Sequence, residues 1–454
     1  MSTLIKNGTL VSSSDEQNVD VLFSETIENV GPGLESSDSE VFDASGKYVL
    51  PGLIDPHLHI QLDTGIYSTP DNWKIGSREA ALGGFTTVID FATQFPEMNF
   101  EEALTARLAE IEGNTTVDVG LHMMVTNLEK CGSQKYLTEN GIRSVKVYTT
   151  YRPNYFQDDS ELLSIMKEAA EQKLLILVHA ENDAMVSAAS KAFIDAGKKS
   201  LRHHGAARPE FAEVTAANTC LLLAEEAGAD LYIVHNSSPR TVELIAKARA
   251  SGQKAFSETC PQYLTLDDTL YESDEPWRYI LQPPLRAPKF RDWLWKKVLS
   301  GDVQSIGTDH CDYSIDQKTE ADDFITTCGG LPGLQMSFHL MHHFGVGQHG
   351  MTMSDLVRLM SENQAKIFEL WPKKGCLEPG ADGDVVVFDP HETWTVDGSK
   401  LFGTAKYSPW DGLEVKGRVT DVWSRGRRIL KDGAFCGDFS HGVYLRERKN
   451  RVYV

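Results

Sequence analysis

Six residues able to bind a metal ion stand at or near the ends of apolar runs: His57, His59, Lys146, His179, His235 and Asp309. The first two close the stretch Gly52-Leu53-Ile54-Asp55-Pro56-His57-Leu58-His59, after the apolar run Tyr48-Val49-Leu50-Pro51. Strand residues alternate faces, so His57 and His59 point the same way, and two adjacent imidazoles can grip one ion. Asp55 falls on that face too, placed to orient a ligand or the ion. Taken alone, such a pair reads as two satisfied core histidines. The other four residues change that reading. Lys146 lies in Ser144-Val145-Lys146-Val147-Tyr148, His179 follows residues 174–178, His235 follows 231–234 and Asp309 follows 305–308. Convergence of four histidines, a lysine and an aspartate at one mouth is a metal site.

Neutral imidazoles suit zinc and similar borderline divalent ions. Lys146 is the odd member, because an ammonium repels a cation. Burial lowers a lysine's pKa and frees its neutral amine. That amine can add carbon dioxide to give a carbamate, an anionic two-oxygen ligand that bridges two ions. The alternative is a lysine that faces away or pairs with an acid. Asp309 can hold an ion and take a proton from water that coordination has acidified. The hydroxide then attacks a carbonyl, and Asp309 passes the proton to the leaving nitrogen. Tyr151, five residues after Lys146, either donates to the developing oxyanion or packs at the rim.

The elements that must position these residues are legible as eight short apolar runs: 49–54, 85–91, 117–125, 144–149, 174–179, 231–235, 254–258 and 304–308. Helical patterns such as 161–170 and 214–226 lie between them. The alternation predicts an α/β fold built on a (β/α)8 TIM-like barrel, with its site at the C-terminal strand ends. Both chain ends are β-rich. Asn7-Gly8 between apolar runs carries a hairpin signal. Residues 384–389, 419–423 and 425–433 resemble that beginning, so the ends are expected to pair into one small β domain. The expected division is 1–50, 51–369 for the barrel, and 370–454 for the second β part and tail.

The chain of 454 residues is 41% hydrophobic and 24% charged, as in globular enzymes. Its net charge of -21 argues against nucleic acid and anionic membranes as partners. Residues 1–14 lack the pattern of a signal peptide, and no apolar run reaches membrane-spanning length. Seven scattered cysteines with no Cys-X-X-Cys pair point to a reducing cytoplasm.

The chain resembles the amidohydrolase superfamily, and within it the dihydropyrimidinase/hydantoinase group of cyclic amide hydrolases. The resemblance runs through the His57 stretch, Gly83-Gly84-Phe85-Thr86-Thr87, Lys146-Val147-Tyr148-Thr149-Thr150-Tyr151 and Val178-His179-Ala180-Glu181-Asn182. It continues in His235-Asn236-Ser237-Ser238, Glu258-Thr259-Cys260-Pro261-Gln262-Tyr263-Leu264, Pro283-Pro284-Leu285-Arg286, Gly307-Thr308-Asp309-His310-Cys311 and Asn363-Gln364-Ala365-Lys366-Ile367-Phe368. It implies a barrel plus β-sandwich, homodimers or homotetramers, and two divalent ions, usually zinc, bridged by carboxylated Lys146. The implied ligands are His57, His59, Lys146, His179, His235 and Asp309, with Asp309 as general base and Tyr151 as oxyanion donor. The implied substrate is a small cyclic amide, such as a dihydropyrimidine or a 5-substituted hydantoin. Two positions depart from the family: Gln282 stands for the usual Ser, and Gly329 for the usual Asn. Both contact the substrate's ring amides in the family, so allantoinase or another cyclic amide or imide hydrolase is the alternative. Dihydroorotase fits less, since Ile60 and Gln61 follow the histidines where its relatives carry Arg. Family members that act as non-catalytic scaffolds have lost metal ligands, whereas all six are kept here.

Other candidates take plain readings. His339, His342 and His343 read as core and helix-surface residues, His203 and His204 as loop or helix-end residues, and His310 as a support behind the ligands. Cys260 and Cys311 read as packing. Loops 61–73, 152–159 and 311–324 are expected to set specificity.

Overall fold

The computed structural model describes residues 2–65 and 67–454. Met1 and Ile66, which fall in the stretch read for a leader and in the 61–73 loop, lie outside the described residues. Eight strands form one parallel sheet: β1 (Leu53–Asp55), β2 (Phe85–Gln94), β3 (Asp118–Val125), β4 (Ser144–Tyr148), β5 (Leu175–His179), β6 (Asp230–Ile233), β7 (Ala255–Thr259) and β8 (Ser305–Ile306). Each pairs with the next in parallel. The ring closes just past the strands, where Leu58 bridges His310. There Asp309 N–H donates to His57 O at 2.8 Å and His59 N–H to His310 O at 2.7 Å. The segments that seal the barrel are therefore the ones that carry three candidate ligands.

Helices return the chain between strands, as their sequences dictate. Asp158 caps the helix Asp159–Gln172 with a reciprocal Glu161 contact, and Gly228 ends Glu210–Ala227 in a left-handed turn. Among the described residues no helix is long and apolar enough to cross a membrane.

The apolar run 49–54, read above as one strand, is split. Tyr48–Pro51 pairs antiparallel with Val385–Phe388 in a flanking sheet, and only Leu53–Asp55 enters the barrel. Gly52 makes the corner: its N–H donates to Asp384 O at 2.9 Å, and a Cβ there would stand 2.1 Å from Thr86 Oγ1. Strands from both chain ends thus share this seven-stranded sheet. The Asn7-Gly8 hairpin does not form. Thr3–Lys6 lies in a separate four-stranded sheet and Thr9–Val11 in the seven-stranded one. Asn7 alone is left-handed (φ 62°), whereas a type I′ turn needs both central residues so. Asn7 is instead a corner between two facing sheets, whose core holds Ile5, Phe23, Val49, Val387 and Trp423.

Candidate metal centre and its cleft

Beyond β1, the rings of His57 and His59 stand 5.4 Å apart. Their Nε2 atoms lie 3.3 and 3.5 Å from Asp309 Oδ1. The three side chains offer ligand atoms within 4.8 Å of one another. The His235 ring is 5.4 Å from His57 and 4.6 Å from His179. The strand ends thus bring together all four histidines and Asp309. Backbone strain collects here too: Tyr151 (φ 73°), His235 (39°) and Asp309 (49°) are left-handed without being glycine.

Buried acids set the tautomers. His57 Nδ1 donates to Glu258 Oε1 at 2.7 Å. Glu258 also accepts the His235 backbone N–H and the Tyr232 hydroxyl. Burial pushes its carboxyl up to about 7, against donors that favour the anion. With Nδ1 carrying the hydrogen, His57 Nε2 turns a lone pair inward. His179 Nε2 donates to Glu181 Oε2 at 2.8 Å, which leaves Nδ1 as the free lone pair. Glu181 is fully buried, which alone would raise its pKa, but the Arg208 guanidinium holds it well below the carboxylate range. Burial lowers the pKa of His57, His179 and His235, so their rings are neutral.

Lys146 is buried, and its Nζ sits 5.5 Å from the Phe91 ring centre and 5.3 Å from that of Tyr148. Among the described residues it makes no hydrogen bond or ion pair, and it lines the cleft with the histidines. Neither alternative reading of Lys146 holds. Burial lowers its pKa to about 8. Tyr151 Oη lies 3.3 Å from His179 Nε2. Because that nitrogen's hydrogen goes to Glu181, the Tyr151 hydroxyl hydrogen stays available.

Of the two roles expected of Asp55, it takes the first, holding a candidate ligand through its backbone. Its Oδ1 accepts Thr308 N–H at 3.1 Å and its Oδ2 the Thr308 hydroxyl at 2.5 Å. It staples β1 to β8 and accepts the His57 N–H at 3.3 Å, fixing backbone rather than ion. His310 supports the site through its backbone, and its ring faces away. His339 and His342 hydrogen-bond the strand Glu414–Ser424, away from the mouth. Burial pushes the Cys260 and Cys311 thiols well up, in line with packing roles.

The cleft has a volume of about 550 Å³. Leu62 and Tyr67, Tyr155, and Tyr313 enter it from the three loops singled out above, and 325–331 adds a fourth wall. Gln282 and Gly329 both line it and touch each other. Lys318 ties their segments together: Nζ donates to Ile280 O, Cys328 O and Gly330 O at 2.8–3.0 Å. Sequence reasoning assigned no role to Glu258, Glu181, Arg208 or Lys318. The two acids sit inside motifs quoted above; Arg208 and Lys318 carry no local signal.

The donor chemistry fits divalent ions. His57 Nε2, the lone pair left by the Glu258 contact, is buried without a hydrogen-bond partner. Such an orphaned lone pair is tolerated where an ion satisfies it.

The model of the amidohydrolase family matches residues 48–429. A D-hydantoinase of Streptomyces coelicolor is 36% identical, with 97% of either chain covered. A D-phenylhydantoinase of Escherichia coli is 35% identical over 99% of this chain and 98% of its own. The crystal structure of dihydropyrimidinase from Brevibacillus agri superposes with a TM-score of 0.94 at 33% identity, covering 100% of both chains.

Proposed function

The chain belongs to the amidohydrolase family, and from that premise we propose that it hydrolyses the ring amide C–N bond of a cyclic ureide, a 5-substituted hydantoin or a dihydropyrimidine. The observation that carries this reading is Lys146: a buried lysine with no ion pair among the described residues, set among neutral His57, His179 and His235 and Asp309.

His57, His59, His179, His235, Asp309 and carboxylated Lys146 would hold two divalent ions, zinc by their donor set. The carbamate forms when the neutral Lys146 amine adds carbon dioxide and releases one proton. When bound, the ions supply Lewis acidity, polarising a ring carbonyl and lowering the pKa of water from about 15.7 towards neutrality. Asp309 takes the proton of the attacking water and hands it to the ring nitrogen as the C–N bond breaks. The Tyr151 hydroxyl donates to the oxyanion, and the ring amides lie against Gln282 and Gly329. Homo-oligomeric assembly and a cytoplasmic setting belong to the same reading; all seven cysteines are free.

Zinc-loaded protein is expected to open dihydrouracil or a 5-substituted hydantoin, read as loss of ring-amide absorbance. No turnover across a panel of cyclic ureides and imides would overturn the proposal. The Gln282–Gly329 pair motivates a second reading, allantoin hydrolysis, which a side-by-side rate comparison decides.

A further inference from the structure

A second group of ionisable side chains includes two that closely follow Asp309, and it does not line the cleft. Asp71, Glu79, His310 and Asp312 are all at least nine-tenths buried. Asp71, His310 and Asp312 offer ligand atoms within 4.8 Å of one another. Glu79 Oε2 and Asp312 Oδ1 each lie 3.7 Å from His310 Nε2, too far to bond it. Asp71 Oδ2, Glu79 Oε2, His310 Nε2 and both Asp312 oxygens are buried without a hydrogen-bond partner. Among the described residues no lysine or arginine pairs with the three acids.

Three carboxyls with no counter-charge are costly to bury. Burial pushes Glu79 and Asp312 well above the usual range. Protonating Glu79 lets it share a hydrogen bond with Asp71, but both Asp312 oxygens still have no partner in hydrogen-bond geometry. One cation between the acids satisfies their orphaned oxygens and offsets their charge together. His310 is not a ligand. Its Nδ1 accepts the backbone N–H groups of Gly333 and Leu334 at 3.1 and 3.3 Å, so Nε2 carries the hydrogen and aims it at the acids.

We propose that Asp71, Glu79 and Asp312 form a site for one hard divalent cation, calcium or magnesium, separate from the centre in the cleft. All-carboxylate oxygen donors select such ions over zinc, which prefers imidazole and thiolate. The site joins distant segments. Asp71 Oδ1 also accepts Thr404 N–H at 2.9 Å, Glu79 lies on the helix Trp73–Leu82, and Asp312 follows the strained Asp309. A bound ion would hold the backbone of Asp309 in place.

The proposal does not depend on the catalytic reading, and one sample tests both. Zinc-loaded protein is dialysed against calcium and, separately, magnesium, and all metals are counted per chain. The expected result is one hard cation per chain beyond the zinc, with a Tm that rises on adding it. The double variant Glu79→Gln/Asp312→Asn should bind it roughly tenfold more weakly or worse, at least the loss seen on removing an outer-shell partner, with zinc unchanged. Wild-type protein that retains neither cation overturns the proposal, and so does equal retention by the variant. Should the variant not fold, the wild-type counts and Tm shift decide alone.

Discussion

Gln282 and Gly329 share one volume: a Cβ built on Gly329 would stand 1.8 Å from Gln282 Oε1 and 2.4 Å from its Nε2. The larger residue at one position requires the bare one at the other. Among the described residues the Gln282 amide has no hydrogen-bond partner, so it faces the cleft with a donor and an acceptor to offer.

The first prediction follows from that overlap. Gly329→Asn alone should lower kcat/KM sharply, while Gln282→Ser/Gly329→Asn recovers most of it. The coupling in a double-mutant cycle should be about 1–3 kcal/mol. Additive effects would mean that the two side chains act independently. Lys318→Met should raise KM for the same substrates, because both segments lose their common anchor.

Lys146→Ala should remove activity and at least one ion per chain. Wild-type protein stripped of metal and reloaded with zinc should regain activity faster as bicarbonate is raised, and its native mass should include carbon dioxide. Reloading at the same rate with and without bicarbonate would contradict a carboxylated Lys146.

Tyr151→Phe removes one hydroxyl and should lower kcat by roughly 10²–10³, with metal content unchanged. Glu258→Gln should act differently, through the His57 tautomer. Zinc affinity is expected to fall roughly 10–100-fold, measured by competition with a chelator.

Acid sensitivity should trace to a different cluster. Lys374 Nζ lies 2.6–2.8 Å from carboxylate oxygens of Asp118, Asp382 and Asp384, joining β3 to the strand Val385–Thr395. Asp118 is fully buried, which alone would raise its pKa, yet Lys374 and Arg425 hold it below its ordinary 3.8. A depressed folded-state pKa gives stability that is complete above the unfolded value and lost as pH falls below it. Unfolding free energy should therefore drop below about pH 4. Lys374→Met, which leaves Asp382 and Asp384 without an ion-pair partner and Asp118 with Arg425 alone, should cost about 3–5 kcal/mol at neutral pH and flatten that drop.

Much of the fold was legible because a parallel barrel repeats one device. Each buried strand is a short apolar run, and each run here was found. Where runs adjoin without a polar break, length alone misleads. Residues 48–55 serve two sheets because Gly52 turns the chain against Thr86 and Asp384, partners invisible from residues 48–55 themselves. The Asn7-Gly8 signal failed likewise, since the flanking strands found better partners in separate sheets.

The sequence by itself determined the candidate ligand set, because the barrel delivers every strand's C-terminal end to one mouth, and residue type at that end is enough. Only the tertiary structure decided what orients and satisfies those ligands. Glu258 fixing His57, Arg208 holding Glu181, Gln282 filling the space over Gly329 and the acids around Asp312 all depend on side chains meeting from distant segments. Contacts of that kind are set by packing distances, and no local periodicity records them.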